Sequence, residues 1–134
     1  VLMQPGRPEL EKVLAGEDDR AVIRWAQENL EPDSVVLIAD TWWLDGSPRH
    51  SDGGGWLRNL TELAIEPVHY RYDFTDPVLV DRLRGLGVTA VYAWMTNESF
   101  PRGVLEELVD FLLLFESGSA GLYQLRCHAS CYIQ

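Results

Sequence analysis

Apolar residues in this chain fall into short blocks, and the period of each block names the element it predicts. Val22, Trp25, Ala26 and Leu30 recur at helical spacing. Asp18 and Asp19 precede them with carboxylates suited to an N-cap and a first turn, and Pro32 ends the run. An amphipathic helix of about three turns follows from this, with Trp25 on its buried face. Residues 34–39 (SVVLIA) are apolar without alternation, rich in β-branched side chains, and bounded by Pro32-Asp33 and Asp40. Such an unbroken run predicts a central strand covered on both faces.

Trp56, Leu57, Leu60 and Leu63 return to helical spacing after a long polar interval. Val68, Tyr70 and Tyr72 then alternate with His69 and Arg71, which predicts a strand over 68–72 with one wet face. Thr75-Asp76-Pro77 is the clearest helix start. Asp76 caps it, and Pro77 occupies the first helical position, where its missing N–H costs nothing. Leu79, Val80, Leu83 and Leu86 form the stripe of that helix, and Gly85 or Gly87 supplies a left-handed end. Residues 88–94 (VTAVYAW) predict a second covered strand. Strand, helix and strand joined by short links imply a right-handed parallel crossover. A helix around 103–109 buries Val104, Leu105 and Leu108, and 111–115 with 122–126 form a hairpin about the turn 118–121. The whole reads as an α/β fold: a three-layer Rossmann-like domain with a mainly parallel sheet flanked by helices and a C-terminal β-hairpin. Residues 1–17 are a polar lead-in with a short helical stretch around 9–14, 18–126 the single domain, and 127–134 a tail.

Length agrees, since 134 residues suit one domain with a sizeable core. Charge narrows the partners. A net charge of −10 excludes nucleic acid, whose phosphates need clustered Lys and Arg, and disfavours anionic lipid surfaces. No run approaches the roughly 20 apolar residues that cross a bilayer, and the N-terminus lacks a signal-peptide layout, so the chain reads as soluble as given. It begins with Val1 in a polar, proline-containing lead, which reads as a fragment or a processed product. Cys127 and Cys131, with His128 between them, are too few ligands for a closed zinc site. They read as an incidental tail, with a strained local disulfide as the alternative. No metal and no cofactor is expected.

Chemistry concentrates between the first strand and the Trp56 helix, in loop 40–56, DTWWLDGSPRHSDGGGW. Loops this long are uncommon unless functional. Four readings compete. An anion site would use the glycines before a helix, but the Lys-Ser/Thr of a P-loop is absent and Asp40, Asp45 and Asp52 repel an anion. A hard-cation site could draw on Asp40, Asp45, His50 and Asp52, whose spacing fits no EF-hand. Carbohydrate or polar-peptide recognition would use Trp faces for flat apolar contact and carboxylates as hydroxyl acceptors. In the fourth reading Trp42, Trp43 and Trp56 only pin the loop, and the Asp-Gly pairs only turn it. The candidate binding set is Asp40, Trp42, Trp43, Asp45, Asp52, Gly53, Gly54 and Trp56. No catalytic residue is assigned, because no Gly-x-Ser-x-Gly elbow occurs and the cysteines sit at the tail. A hydrolase using Asp40 and Asp52 is the weakest alternative, and His50 and His69 read as solvated or packed side chains.

The segments AVIRWAQENLEPDSVVLIADTWW and SDGGGWLRNLT resemble the soluble C-terminal part of bacterial and archaeal multi-spanning glycosyltransferases that use lipid-linked sugar donors, oligosaccharyltransferase catalytic subunits included. FLLLFESGSAGLYQLR resembles their closing hairpin. The likeness covers about residues 19–126 in outline. In oligosaccharyltransferases a Trp-Trp-Asp-Tyr-Gly motif helps bind the hydroxyl residue of the acceptor. Here Trp42-Trp43 match, Leu44 intervenes before Asp45-Gly46, and the Tyr is missing. Ser51 to Trp56 is closer to an Asp-Gly-Gly-aromatic-Trp form of other relatives. The resemblance implies an extracytoplasmic, non-catalytic domain at the face of the membrane. Its partners would be the membrane-embedded part of the same polypeptide and a glycan or peptide acceptor. A free-standing small-molecule-binding α/β module is the alternative.

Overall fold

The computed structural model describes residues 16–42, 48–50, 57, 61–95 and 99–127. Its helices are α1 (Glu17–Asn29), α2 (Pro77–Gly85) and α3 (Arg102–Glu107). Its strands are β1 (Val35–Trp42), β2 (Pro48–His50), β3 (Ala64–His69), β4 (Ala90–Trp94), β5 (Phe111–Ser117) and β6 (Ala120–Leu125). Among the described residues no helix is long and apolar enough to cross a membrane.

All six strands join one sheet, with the path β2-β1-β4-β6-β5 and β3 alongside β1. Val36 faces Ile65 of β3 and Ala90 of β4, so those strands flank β1 on opposite sides, and both run parallel to it. The other pairings, β1 with β2, β4 with β6 and β5 with β6, are antiparallel. The sheet is therefore mixed, and the mainly parallel Rossmann-like sheet expected from the sequence is not what forms. Burial explains why the hairpin enters as it does. β6 is buried on both faces and takes the interior place beside β4, whereas β5 leaves Leu112 and Leu113 about 40% exposed and lies at the edge.

Side-chain alternation divides the core into two layers. Val36, Ile38, Ala90, Tyr92, Ala120 and Leu122 pack with Val22, Ile23 and Ala26 of α1 and with Leu57. On the other face Leu37, Ala39, Val91, Ala93, Tyr123 and Leu125 pack with Val80 and Leu83 of α2 and Leu105 of α3. Helices thus cover both faces, as the three-layer expectation required. Trp25 is half-buried and stacks on Phe115 of β5 at 5.4 Å, agreeing with its placement toward the sheet.

Several local expectations need correction. Gly16, not an aspartate, is the N-cap of α1, and Asp18 and Asp19 lie in its first turn. Asp76 does cap α2, accepting the Val78 N–H at 2.9 Å, and Gly87 follows the helix at φ +85°. Leu86, however, is exposed and outside the buried stripe, while Val104 and Leu108 are only half-buried. β1 runs past Ala39 to Trp42, because residues Asp40, Thr41 and Trp42 find partners in β2, a strand without strand-like composition. β3 is displaced toward the N-terminus, ending at His69 where its register with β1 ends at Asp40. Tyr72 N–H turns back to His69 C=O at 3.0 Å, so 70–72 form a turn instead of a strand end. Residues 1–15, the Gly53-Gly54-Gly55 run and the Cys131 tail lie outside the described residues.

Candidate ligand site at the carboxyl edge of the sheet

β1, β3 and β4 are parallel, so their carboxyl ends share one edge, and what the chain places there follows from the topology. From β1 it travels outward to β3, then returns across β1 to β4. The order therefore reverses at β1, and such a reversal leaves a crevice beyond the carboxyl ends where open α/β sheets hold ligands. Of the candidate residues, Asp40 and Trp42 stand on β1 at this edge. Asp40 is registered against His50 of β2 on one side and His69 of β3 on the other. Trp43, Asp45, Asp52, Gly53, Gly54 and Trp56 lie outside the described residues. Leu57, just beyond them, is fully buried under the α1 face and accepts the Thr61 N–H at 3.0 Å, one helical turn on.

Two buried polar networks, neither foreseen from the sequence, fix this edge. The first anchors the start of α1. Asp19 receives the Trp94 indole N–H at 2.8 Å and the Tyr92 hydroxyl on one oxygen, and the Gly16 N–H at 3.1 Å on the other. Burial pushes its carboxyl above the ordinary range, against the opposing hydrogen bonds from Trp94 and Gly16. Beside it the Ser117 hydroxyl donates to Asp18 at 3.0 Å, tying the helix to the hairpin turn. Gly118 in that turn has φ +56°, and a Cβ there would overlap the Asp18 carboxylate.

The second network surrounds Arg102, which is only 1% exposed. Its Nε donates to the Tyr123 hydroxyl at 2.7 Å, and its Nη atoms reach Gly118 C=O at 3.2 Å, Ala120 C=O at 3.4 Å, and the carboxylates of Glu106 and Glu116. Burial alone would lower the guanidinium's pKa. Hydrogen bonds to Tyr123 and Glu116 outweigh it, so Arg102 stays charged. Tyr123 in turn donates to Glu106. Its pKa is pushed up to about 12, by burial first and that bond second. A Cβ on Gly121 would lie 2.8 Å from Arg102 Nε, so the close approach of β6 requires glycine. Both networks hold the hairpin turn against β4, where Trp94 faces Ala120 and Met95 N–H reaches Ser119 C=O at 3.2 Å. The buried groups at their centres, the Asp19 carboxylate, the Arg102 guanidinium and the Tyr92 and Tyr123 hydroxyls, are each held by hydrogen bonds, which suits positioning rather than proton transfer.

Next to this clamped edge opens a cleft of about 420 Å³, within the size range of small-molecule sites. Tyr70, Arg71, Tyr72, Asp73, Phe74 and Thr75 form one wall as they leave β3, and Pro101 and Val104 at the start of α3 form the other. Phe74 is fixed beneath by edge-to-face contacts with Phe100 at 4.9 Å and Phe111 at 5.5 Å. The Tyr72 hydroxyl donates to Leu79 C=O at 2.6 Å, holding the loop on α2. Arg71 Nε donates to the Tyr70 hydroxyl at 3.1 Å, and its guanidinium carbon sits 5.4 Å from the Tyr70 ring centre. His69 stacks on Tyr70 at 4.6 Å and accepts the Arg71 backbone N–H on Nδ1 at 3.1 Å. Asp73 accepts from the Thr75 side chain and from its N–H at 2.9 Å, and these bonds hold its carboxyl below the usual range. Among the described residues, no group of three or more His, Cys, Asp or Glu side chains is arranged to hold a metal ion.

Tyr70 and Tyr72 stood out in the sequence only as the apolar positions of a strand, and their periodicity gave no sign of this cleft. No family model, curated protein or solved structure matches the chain, so what this edge can do rests on its geometry.

Proposed function

We propose that the chain is a recognition domain of a larger membrane glycosyltransferase-like protein. It sits on the extracytoplasmic face and assists binding of an acceptor or lipid-linked sugar through loop 40–56. The observation that carries the reading is the position of β1. It lies between two parallel neighbours, and its carboxyl end, where the loop begins, is the point at which strand order reverses. A loop leaving there begins at the mouth of the crevice. Its Trp and Asp side chains supply the flat apolar contact and hydroxyl acceptors that polar, ring-bearing ligands need. The domain positions a ligand, and the reacting groups belong to the membrane part. In the intact protein Trp42→Ala, Trp43→Ala and Asp52→Ala are each expected to weaken acceptor affinity or transfer at least tenfold, about 1.4 kcal/mol. Unchanged affinity and transfer in all three would remove the loop's role.

The cleft beside residues 70–75 favours a second reading, a free-standing small-molecule-binding module. Hydropathy of the reading frame preceding Val1 separates the two. Several spans of about 20 apolar residues support the membrane protein, and a start codon with nothing apolar before it supports the module.

A further inference from the structure

We infer that the cleft between residues 70–75 and the start of α3 binds a neutral saccharide ring. The inference rests on the recognition reading above and adds to it a place and a ligand class. Three features define the class.

The first is an apolar wall. Tyr72, Pro101 and Val104 offer a surface for the C–H face of a pyranose, and the buried Phe74 behind them, held by edge-to-face contacts with Phe100 and Phe111, keeps that surface in place before any ligand arrives. The second is a fixed cation. Arg71 is oriented by Tyr70, and among the described residues no carboxylate lies within ion-pair distance of it, so its Nη atoms can donate to a ligand. The third is a fixed anion. Asp73 spends one oxygen on Thr75, and the other can accept from a ligand.

A bare anion entering the cleft would meet Asp73, and a bare cation would meet Arg71. Sugar hydroxyls both donate and accept, so one ring satisfies the two together and adds no net charge. Aromatic contact with bridging polar groups is also the usual make-up of a small-molecule site, in which apolar walls supply area and a few polar groups supply orientation.

The test is an amide-shift titration of the ¹⁵N-labelled chain with cellotriose, maltotriose and chitotriose, and separately with L-phenylalanine as a zwitterionic probe. At least one saccharide is expected to give saturable shifts at residues 70–75 and 104. Arg71→Ala and Asp73→Asn should each weaken that binding at least tenfold, and Val104→Trp, which fills the cleft, should abolish it. Arg71 and Asp73 are exposed, so these variants keep the fold, which far-ultraviolet circular dichroism checks. No saturable shift at these residues with any saccharide, parent-like affinity in the variants, or a response to L-phenylalanine alone would each overturn the inference. The cleft variants are read in this titration and the loop variants as transfer in the intact protein, so failure of the cleft and failure of the loop are separate results.

Discussion

Tyr123 shows how one side chain couples the fold to its candidate site. It is fully buried, and its hydroxyl links Arg102 to Glu106 beneath the hairpin turn. Its folded pKa of about 12 lies above the ordinary value of 10.0. The protonated phenol is therefore favoured more in the folded state, and the associated stability is fully present below pH 10 and lost as pH rises through 12. Two pH units at 1.36 kcal/mol each amount to about 3 kcal/mol. Denaturant midpoints taken across that interval should fall steeply for the parent and less steeply for Tyr123→Phe. At neutral pH the same variant should already lose roughly 1–3 kcal/mol, because Arg102 Nε is left buried without its acceptor. Equal slopes in parent and variant would place the alkaline transition elsewhere.

At the scale of elements, the helix α2 depends on a cap that one atom supplies. Asp76→Ala removes the acceptor for Val78 N–H and should cost about 1 kcal/mol, read from urea unfolding, whereas Asp76→Ser should recover most of it. This cap, the period of Val22 and Ala26, and the unbroken apolar runs of β1 and β4 were legible in the sequence, because each is a local consequence of its own residues. The make-up of the sheet was not. A hairpin does not say which of its strands pairs inward, and β6, buried on both faces, takes the interior place beside β4, a comparison between strands that no single segment contains. β2 was hidden for the same reason, since Pro48, Arg49 and His50 form a strand only because β1 continues far enough to pair with them. Tyr70 and Tyr72 continue the alternation of β3 beyond the point where its pairing with β1 ends, so periodicity carried the predicted strand through a turn. Pro67, lacking an N–H, is compatible with β3 as an edge strand and not with a strand bonded on both sides.

Across the whole molecule, the two polar networks, the hairpin turn, the start of α1, the cleft and the end of β1 all meet on one edge of the sheet. Loop 40–56 was recognisable as unusual from its tryptophans and glycines, and its attachment to this edge follows from β1. The cleft was not recognisable, because residues 70–75 and 101–104 approach only after the crossover from β3 to β4 has formed. The opposite edge, where β1 and β4 begin, is closed by short backbone links, including Thr89 N–H to Val35 C=O at 3.0 Å and Leu125 N–H to Thr89 C=O at 2.9 Å. Recognition is proposed to belong to the carboxyl edge. The most direct measurement is site-specific photo-cross-linking in the intact protein, with a benzophenone amino acid placed at Trp43, at Tyr70 or at Thr89 in the presence of acceptor or sugar donor. Adducts from Trp43 and Tyr70, with none from Thr89, are predicted; adducts from Thr89 alone would contradict it.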